Sequence, residues 1–376
     1  MAPRVTQPTR DGRHGAMLPV AGHVALVQPR VGIGDMIWHL PHLRAVARRV
    51  AGRVTLVARP RSRADQLLGA QDGIDEVFWV ERDQWTPAGR HQGLSGWLRL
   101  AAEIHARRFD AVLLLTRSRA LTLAFAAAGV PLRWGYGFGS QRVLLNRPPY
   151  LPEPARALHP YDQATAWLNA AGLALAEPEP RLHVADEARA RVRARLGTGP
   201  GPAVVLGIAS SDAWKQWPAP AFAELASRLL AAGWQRVVLV GGAAERAVAD
   251  AILERLGEHL RNEAGRVVPV LGWDLREVSA LLQDAAFYVG NDTAVLNIAA
   301  AVGTRAYGLF GATPALLHSP NIVPVIPAGG PNRDAGMARI TVADVVEAIA
   351  GDRGGLGPGE AREPTPRASG AGGTPA

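Results

Sequence analysis

VALVQPRVGIGDMIWHLPHLRAVARRV, residues 24–50, is the stretch that decides the fold class. An apolar run from Val24 to Gln28 stops at a loop carrying Gly32 and Gly34, and a helical stretch follows from Met36 to Val50. Strand, glycine turn and helix in that order open a unit of a parallel sheet. The glycines let the backbone turn sharply, which leaves Asp35 at the start of the helix. Spacing alone leaves two readings of Asp35 open: an N-cap whose carboxylate serves the helix, or a group with chemistry of its own. A dinucleotide fingerprint fits poorly, because its third glycine would fall at Ile37.

The same alternation continues outward. It predicts further strands near Val54–Ala58, Val77–Val80, Ala111–Leu115 and Leu132–Tyr136, with helices near Gly96–Arg107, Ser118–Ala128 and Tyr161–Ala171. Leu173 to Pro180 has two prolines and no periodicity, so it reads as a linker. A second set follows, with strands near Ala203–Ile208, Arg236–Val240, Arg266–Val270, Phe287–Val289 and Ala306–Leu309. Its helices are expected near Phe222–Ala232, Ala244–Leu256, Leu275–Gln283 and Thr293–Ala301, and a last one is capped at Thr341 and ends near Ala350. The expected organisation is a flexible N-terminus (1–20), a first doubly wound α/β domain (21–172), a linker (173–185), a second (186–350) and a disordered tail (351–376). A length of 376 residues suits two domains, each with its own core.

Composition narrows the chemistry. There is no cysteine, which excludes disulfide frameworks, thiolate catalysis and cysteine zinc sites. Arg4, Arg10 and Arg13 precede no apolar run of signal-peptide length, and the stretch 120–132 is too short to span a bilayer. The expectation is a cytoplasmic protein, soluble or peripheral to a membrane. Residues 1–175 hold 22 cations and 12 acids, a balance of +10, whereas the rest of the chain is near neutral. Nucleic acid is not the expected partner: the arginines are scattered over helices, without a recognised binding motif or an aromatic-interleaved stripe. Of the cations, 40 are Arg and one, Lys215, is Lys. One lysine kept against that background points to a role for a compact ammonium that a guanidinium does not fill.

Two further loops follow predicted strands. IASSDAWKQWP, residues 208–218, offers the hydroxyls of Ser210 and Ser211 and the charge of Lys215, a set suited to a diphosphate. FYVGNDTAVLNIAAAVGTRAYGLFGATP, residues 287–314, brings Asp292 and Thr293 to the start of an alanine-rich helix, where exposed N–H groups favour an anion. A solvated loop and a capped, closely packed helix are the bland alternatives. His39 and His42, three apart on one helix, read as packed or solvated rather than as ligands.

In this order and spacing the three segments resemble glycosyltransferase family 9, the family of ADP-heptose:lipopolysaccharide heptosyltransferases. The resemblance implies a GT-B fold, two facing Rossmann-like domains with an interdomain cleft, and inverting transfer from a nucleotide-sugar donor without metal or other cofactor. No two Asp residues lie two apart, so the Asp-x-Asp metal motif of other glycosyltransferases is absent. By resemblance Gly34 and Asp35 belong to the acceptor side, with Asp35 the general base. Ser210, Ser211 and Lys215, ahead of Trp217 and Pro218, contact the donor phosphates, with Asp292 and Thr293 at the helix start. Glu245, after Gly242, falls near the ribose, and Trp273 and Leu275 fall near the base. Ala294 and Asn297 stand where the family has Gly and His, Arg305 where it has Pro, and Phe310–Thr313 departs from its Phe-Gly-Pro-Thr. The basic front half fits an anionic, lipid-linked saccharide acceptor at the inner face of a membrane, with Arg117, Arg119, Arg133, Arg142 and Arg147 as contacts. A monomer is expected. A GT-B enzyme of other chemistry, such as an epimerase, and a non-catalytic binding member stay open.

Overall fold

Two all-parallel sheets carry the chain, one in residues 1–178 and the other in residues 179–376. The computed structural model describes residues 20–82, 88–197, 203–256, 266–315 and 319–358. Strands and the helices of eight or more residues are numbered below in chain order.

In the first unit β1 (Val20–Val27), β2 (Val50–Ala58), β3 (Glu76–Trp79), β4 (Ala111–Leu114) and β5 (Leu132–Gly135) pair in the order β3-β2-β1-β4-β5. Helices α1 (Ile33–Ala47), α2 (Gly93–Ala106), α3 (Arg119–Ala127) and α4 (Pro160–Ala170) join them. Ala25, Val27, Val112 and Leu114 are fully buried with Leu100 and Phe125, as strands covered on both faces must be. The chain runs outward from β1 through β2 to β3, then returns beside β1 as β4, which places a topological switch point between β1 and β4.

Strand β1 starts at Val20, earlier than its apolar run suggests. The register continues through Gly22 opposite Gly52, where a Cβ on Gly52 would lie 2.1 Å from the Gly22 carbonyl oxygen. Only glycines permit that approach, and glycines carry no strand signal.

Helix α1 is buried on every side from Met36 to Leu43, including His39 and His42, at 1% and 0% exposure. Burial lowers the pKa of His39 to about 4; burial, aided by the nearby His39, lowers that of His42 to about 3. Both imidazoles are therefore neutral at pH 7. An unfolded histidine titrates near ~6.5, so the unfolded chain takes up protons first as the pH falls. The stability these residues contribute is fully present above ~6.5 and drains away as the pH falls towards about 4. The urea midpoint of the first unit is expected to fall steeply between pH 6.5 and 4, and His39→Asn should flatten that slope; an unchanged slope would refute this.

In the second unit β6 (Val204–Gly207), β7 (Val237–Gly241), β8 (Val267–Leu271), β9 (Phe287–Asn291), β10 (Ala306–Leu309) and β11 (Ile322–Val325) pair in the order β11-β10-β9-β6-β7-β8. The switch point here lies between β6 and β9. The helices are α5 (Asp186–Leu196), α6 (Ala219–Ala231), α7 (Arg246–Arg255), α8 (Leu275–Gln283), α9 (Ala294–Ala301) and α10 (Val342–Arg353). Leu206, Trp217, Phe222, Leu239, Phe287 and Tyr307 anchor the core, and the Trp217 indole N–H is fixed by the Ile340 carbonyl at 2.9 Å.

Three features depart from the sequence reading. Helix α5 has no apolar stripe and buries only Ala188 and Val192; alanine and arginine propensity sustains it, with acids at its start and arginines at its end. Strand β11 is interrupted by Pro324, tolerated because β11 is an edge strand paired to β10 alone. The expected disorder from 351 is corrected for residues 351–358 alone: α10 runs on to Arg353, Gly354 caps it in a left-handed conformation (φ 79°), and Trp234 Nε1 donates to the Leu356 carbonyl at 2.7 Å. Residues 1–19 and 359–376 lie outside the described residues. Arg305, the departure after Gly303, is structural. It forks onto the Asp352 carboxylate, which also accepts the Tyr307 hydroxyl at 2.9 Å, tying β10 to α10. No described helix is long and apolar enough to cross a membrane.

Candidate active site

Loops leaving the carboxyl edge of the second sheet gather most of the residues singled out in the sequence. At its centre Gly207 of β6 pairs with Gly290 of β9. A Cβ on Gly207 would lie 1.8 Å, and one on Gly290 2.2 Å, from the hydroxyl oxygen of the fully buried Tyr288. The two glycines make room for the phenol, whose pKa burial raises so that it stays protonated. Gly290→Ala is expected to cost about 1–3 kcal/mol by overpacking, read as a lower urea midpoint. An unchanged midpoint would mean that the ring moves aside freely.

Next to this glycine pair Asn291, fully buried, staples two loops together. Its Nδ2 donates to the Ala209 carbonyl at 3.0 Å, and its Oδ1 accepts from the Trp217 N–H at 3.0 Å. The staple sets a short 3-10 turn, Ala213–Lys215, against the end of β9. Lys215 Nζ thereby reaches Asp292 Oδ2 at 3.3 Å, with both side chains only 19% exposed. Thr313, in the loop after β10, donates to the same Asp292 oxygen at 2.8 Å. Ser210 and Ser211 bend over the adjoining loop, their hydroxyls donating to the Asp212 carbonyl at 2.6 Å and the Asp212 carboxylate at 3.0 Å.

Thr293 is the N-cap of α9, but its hydroxyl makes no cap bond and is buried towards Tyr288. What it presents at the helix start is backbone, beside the first N–H groups of α9, which lack intrahelical partners. Asn297 donates to the Thr293 carbonyl at 3.1 Å, so its amide is committed to its own helix, while Ala294 leaves the first turn without a side-chain donor.

Farther along the edge, Glu245 accepts from the Gly242 N–H at 2.7 Å. Trp273, after Gly272 (φ 69°), carries the Arg195 guanidinium 3.7 Å from its ring centre, and Leu275 opens α8. Thr313, Asn291 and Tyr288 join this cluster by their contacts, and sequence reasoning does not single them out. Thr313 lies in the segment 287–314, but nothing in its spacing shows that it meets Asp292.

In the first unit the loop after β1 places Asp35 as the third residue of α1, and Gly32 rather than Asp35 is the N-cap. Among the described residues the Asp35 carboxylate makes no cap bond; Oδ1 is paired with Arg30 Nε. Gln28, fully buried, holds the loop through the Arg30 N–H at 3.0 Å and the Asp35 carbonyl at 3.2 Å. A Cβ on Gly32 would stand 2.8 Å from Asp35 Oδ2, so glycine keeps that second oxygen clear. Gly34 is the second residue of α1, adjacent to Asp35.

Arg117 and Arg119 follow β4 and are exposed, Arg117 bonding the Arg156 carbonyl at 3.2 Å. Arg142, also exposed, lies over the Tyr150 ring at 4.7 Å, and Arg147 is exposed. Arg133 drops out as an acceptor contact, because its guanidinium is bonded to the Val130 and Leu144 carbonyls. Among the described residues no group of three or more His, Cys, Asp or Glu is placed to hold a metal ion.

Comparison with known proteins bears on the fold and the family. No curated protein matches the sequence. Among solved structures, Escherichia coli ADP-heptose LPS heptosyltransferase II superposes with a TM-score of 0.69 at 21% identity, over 88% of this chain and 98% of that one. A glycosyl transferase family 9 protein from Veillonella parvula gives 0.69 at 18%, over 88% and 96%. E. coli heptosyltransferase WaaC, solved with ADP-2-deoxy-2-fluoro heptose, gives 0.64 at 18%, over 88% and 99%. These likenesses establish the GT-B fold class. The family model for glycosyltransferase family 9 (heptosyltransferase) matches residues 97–323, more than half of the sequence. The chain, a glycosyltransferase, therefore belongs to glycosyltransferase family 9.

Proposed function

We propose that the protein transfers a heptose, with inversion and without a bound metal, from an ADP-heptose-type donor to a lipopolysaccharide-core or related cell-surface saccharide. The second unit takes the donor and the first unit the acceptor. The observation that carries this reading is the meeting of Lys215, Asp292 and Thr313 at the β6–β9 switch point, where α/β sheets bind ligands. Lys215 and the free N–H groups of α9 supply positive charge for a diphosphate, and the Ser210 and Ser211 hydroxyls would leave Asp212 to bond it. Glu245 is assigned to the ribose and Trp273 and Leu275 to the base.

Asp35 Oδ2 is the base. It takes the proton of an acceptor hydroxyl while that oxygen bonds to the anomeric carbon, and the carbon's bond to the diphosphate breaks with inversion. A positioned base contributes ~10²- to 10⁴-fold. The exposed Arg117, Arg119 and Arg142 suit an anionic, lipid-linked acceptor, which would place the enzyme in the cytoplasm at the inner face of the inner membrane.

Another sugar, or epimerisation, is the second reading. It is favoured by Ala294 and by Asn297, whose amide is committed to Thr293. A thermal-shift panel of nucleoside diphosphates and nucleotide sugars tests the donor, since a ligand of the folded state raises its apparent stability. A selective response to ADP compounds is expected. Epimerised product from donor alone, without acceptor, would overturn the transferase assignment.

A further inference from the structure

We propose that Arg333 is a second cation of the donor subsite, binding the diphosphate together with Lys215. This rests on the reading that the Lys215 edge of the sheet binds a nucleoside diphosphate. Lys215 is compensated by Asp292 at 3.3 Å, so that pair brings little net charge to a diphosphate that carries more than one negative charge. A further cation is needed, and the loop after β11 provides it. The Arg333 guanidinium lies 4.7 Å from the centre of the Trp214 ring, and Lys215 Nζ lies 5.2 Å from the same centre. Among the described residues Arg333 makes no ion pair of its own.

Its position is built rather than incidental. The Asn332 N–H donates to the Gly311 carbonyl at 2.7 Å, and the Gly336 N–H donates to the Asn332 carbonyl at 2.7 Å. Asn332 Oδ1 accepts from the Asp334 N–H at 2.9 Å, closing the turn around Arg333. A Cβ on Gly336 would lie 1.6 Å from the Gly311 oxygen, so two glycines allow this loop to seat on the loop after β10. That second loop carries Thr313, which bonds Asp292. Arg333 thus belongs to the same constellation as Lys215, though far from it in sequence. The Trp214 ring thus lies within cation–π reach of both cations, so an anion bound at that ring meets two positive charges. The planar fork of a guanidinium suits two oxygens of one phosphate, which complements the point charge of the lysine.

The test compares nucleotide binding by calorimetry to wild-type protein, Arg333→Ala and Arg333→Lys, using ADP, GDP, UDP and CDP and the monophosphate of whichever binds tightest. Arg333→Ala is expected to weaken the diphosphate roughly 10-fold while changing the monophosphate by less than about 2-fold, with partial recovery in Arg333→Lys. Equal diphosphate affinity in wild type and Arg333→Ala would overturn the inference and leave the donor reading standing. Equal loss of di- and monophosphate would also overturn it, as a structural effect. If the wild type binds no nucleoside diphosphate, the donor reading fails and the inference fails with it.

Discussion

Lys215→Ala is expected to lower turnover by roughly 10²- to 10³-fold, the scale seen when a preorganised charge partner for a developing anion is removed. The loss should reach binding as well. Without the ammonium, Asp292 keeps only the Thr313 hydroxyl on its Oδ2 and presents a bare carboxylate to the diphosphate. The charge balance predicts a partial rescue: adding Asp292→Asn to Lys215→Ala should recover donor affinity but not turnover, because the repulsion goes while the stabilising cation stays absent. Lys215→Arg separates charge from shape. The guanidinium keeps the charge but is larger and planar, so turnover is expected to fall with donor KM changed less. Steady-state kcat and donor KM for the variants decide this, and full turnover in Lys215→Arg would show that any cation suffices.

Asp35→Asn should cost roughly 10²- to 10⁴-fold in kcat and leave nucleotide binding unchanged. The substitution is nearly isosteric, and its amide oxygen can still accept from Arg30. Since Gly32 is the N-cap and Asp35 makes no cap bond, its contribution to α1 is that of a negative charge in the first turn, about 0.3–1 kcal/mol. A large kinetic loss with a small change in unfolding midpoint therefore assigns Asp35 to chemistry. Near-full transfer by a variant that still binds donor would reduce Asp35 to a helix-start charge. Gly32→Ala, which sets a methyl 2.8 Å from Asp35 Oδ2, should give an intermediate loss.

Much of the fold was legible because a parallel strand buried on both faces must be an apolar run, as in Val204–Gly207 or Ala111–Leu114. The exceptions share a cause. Gly22 and Gly52 extend β1 and β2, Pro324 sits in β11, and α5 is alanine and arginine, so in each place the residue type contradicts or withholds the periodic signal. Tertiary pairing or intrinsic propensity settles those segments instead. The candidate site was legible in the same measure: Asp35, Ser210, Ser211, Lys215, Asp292 and Thr293 all follow directly on strands, where doubly wound sheets carry ligand loops.

Local pattern along the chain accounts for two parallel α/β units and for three polar loops after strands, one of them holding a lone lysine. Only the tertiary structure decided which of those groups meet. Lys215 and Asp292 are 77 residues apart, joined because β9 returns to pair with β6 after β7 and β8 have run the other way. The fold likewise turned the Thr293 hydroxyl inward, committed Arg133 and Arg305 to structural bonds, and brought Arg333 to the Trp214 ring. Periodicity is a local property of the chain, set by the geometry of each element. The order of strands in a sheet is not local, and it leaves no mark on the spacing of the residues that it brings together.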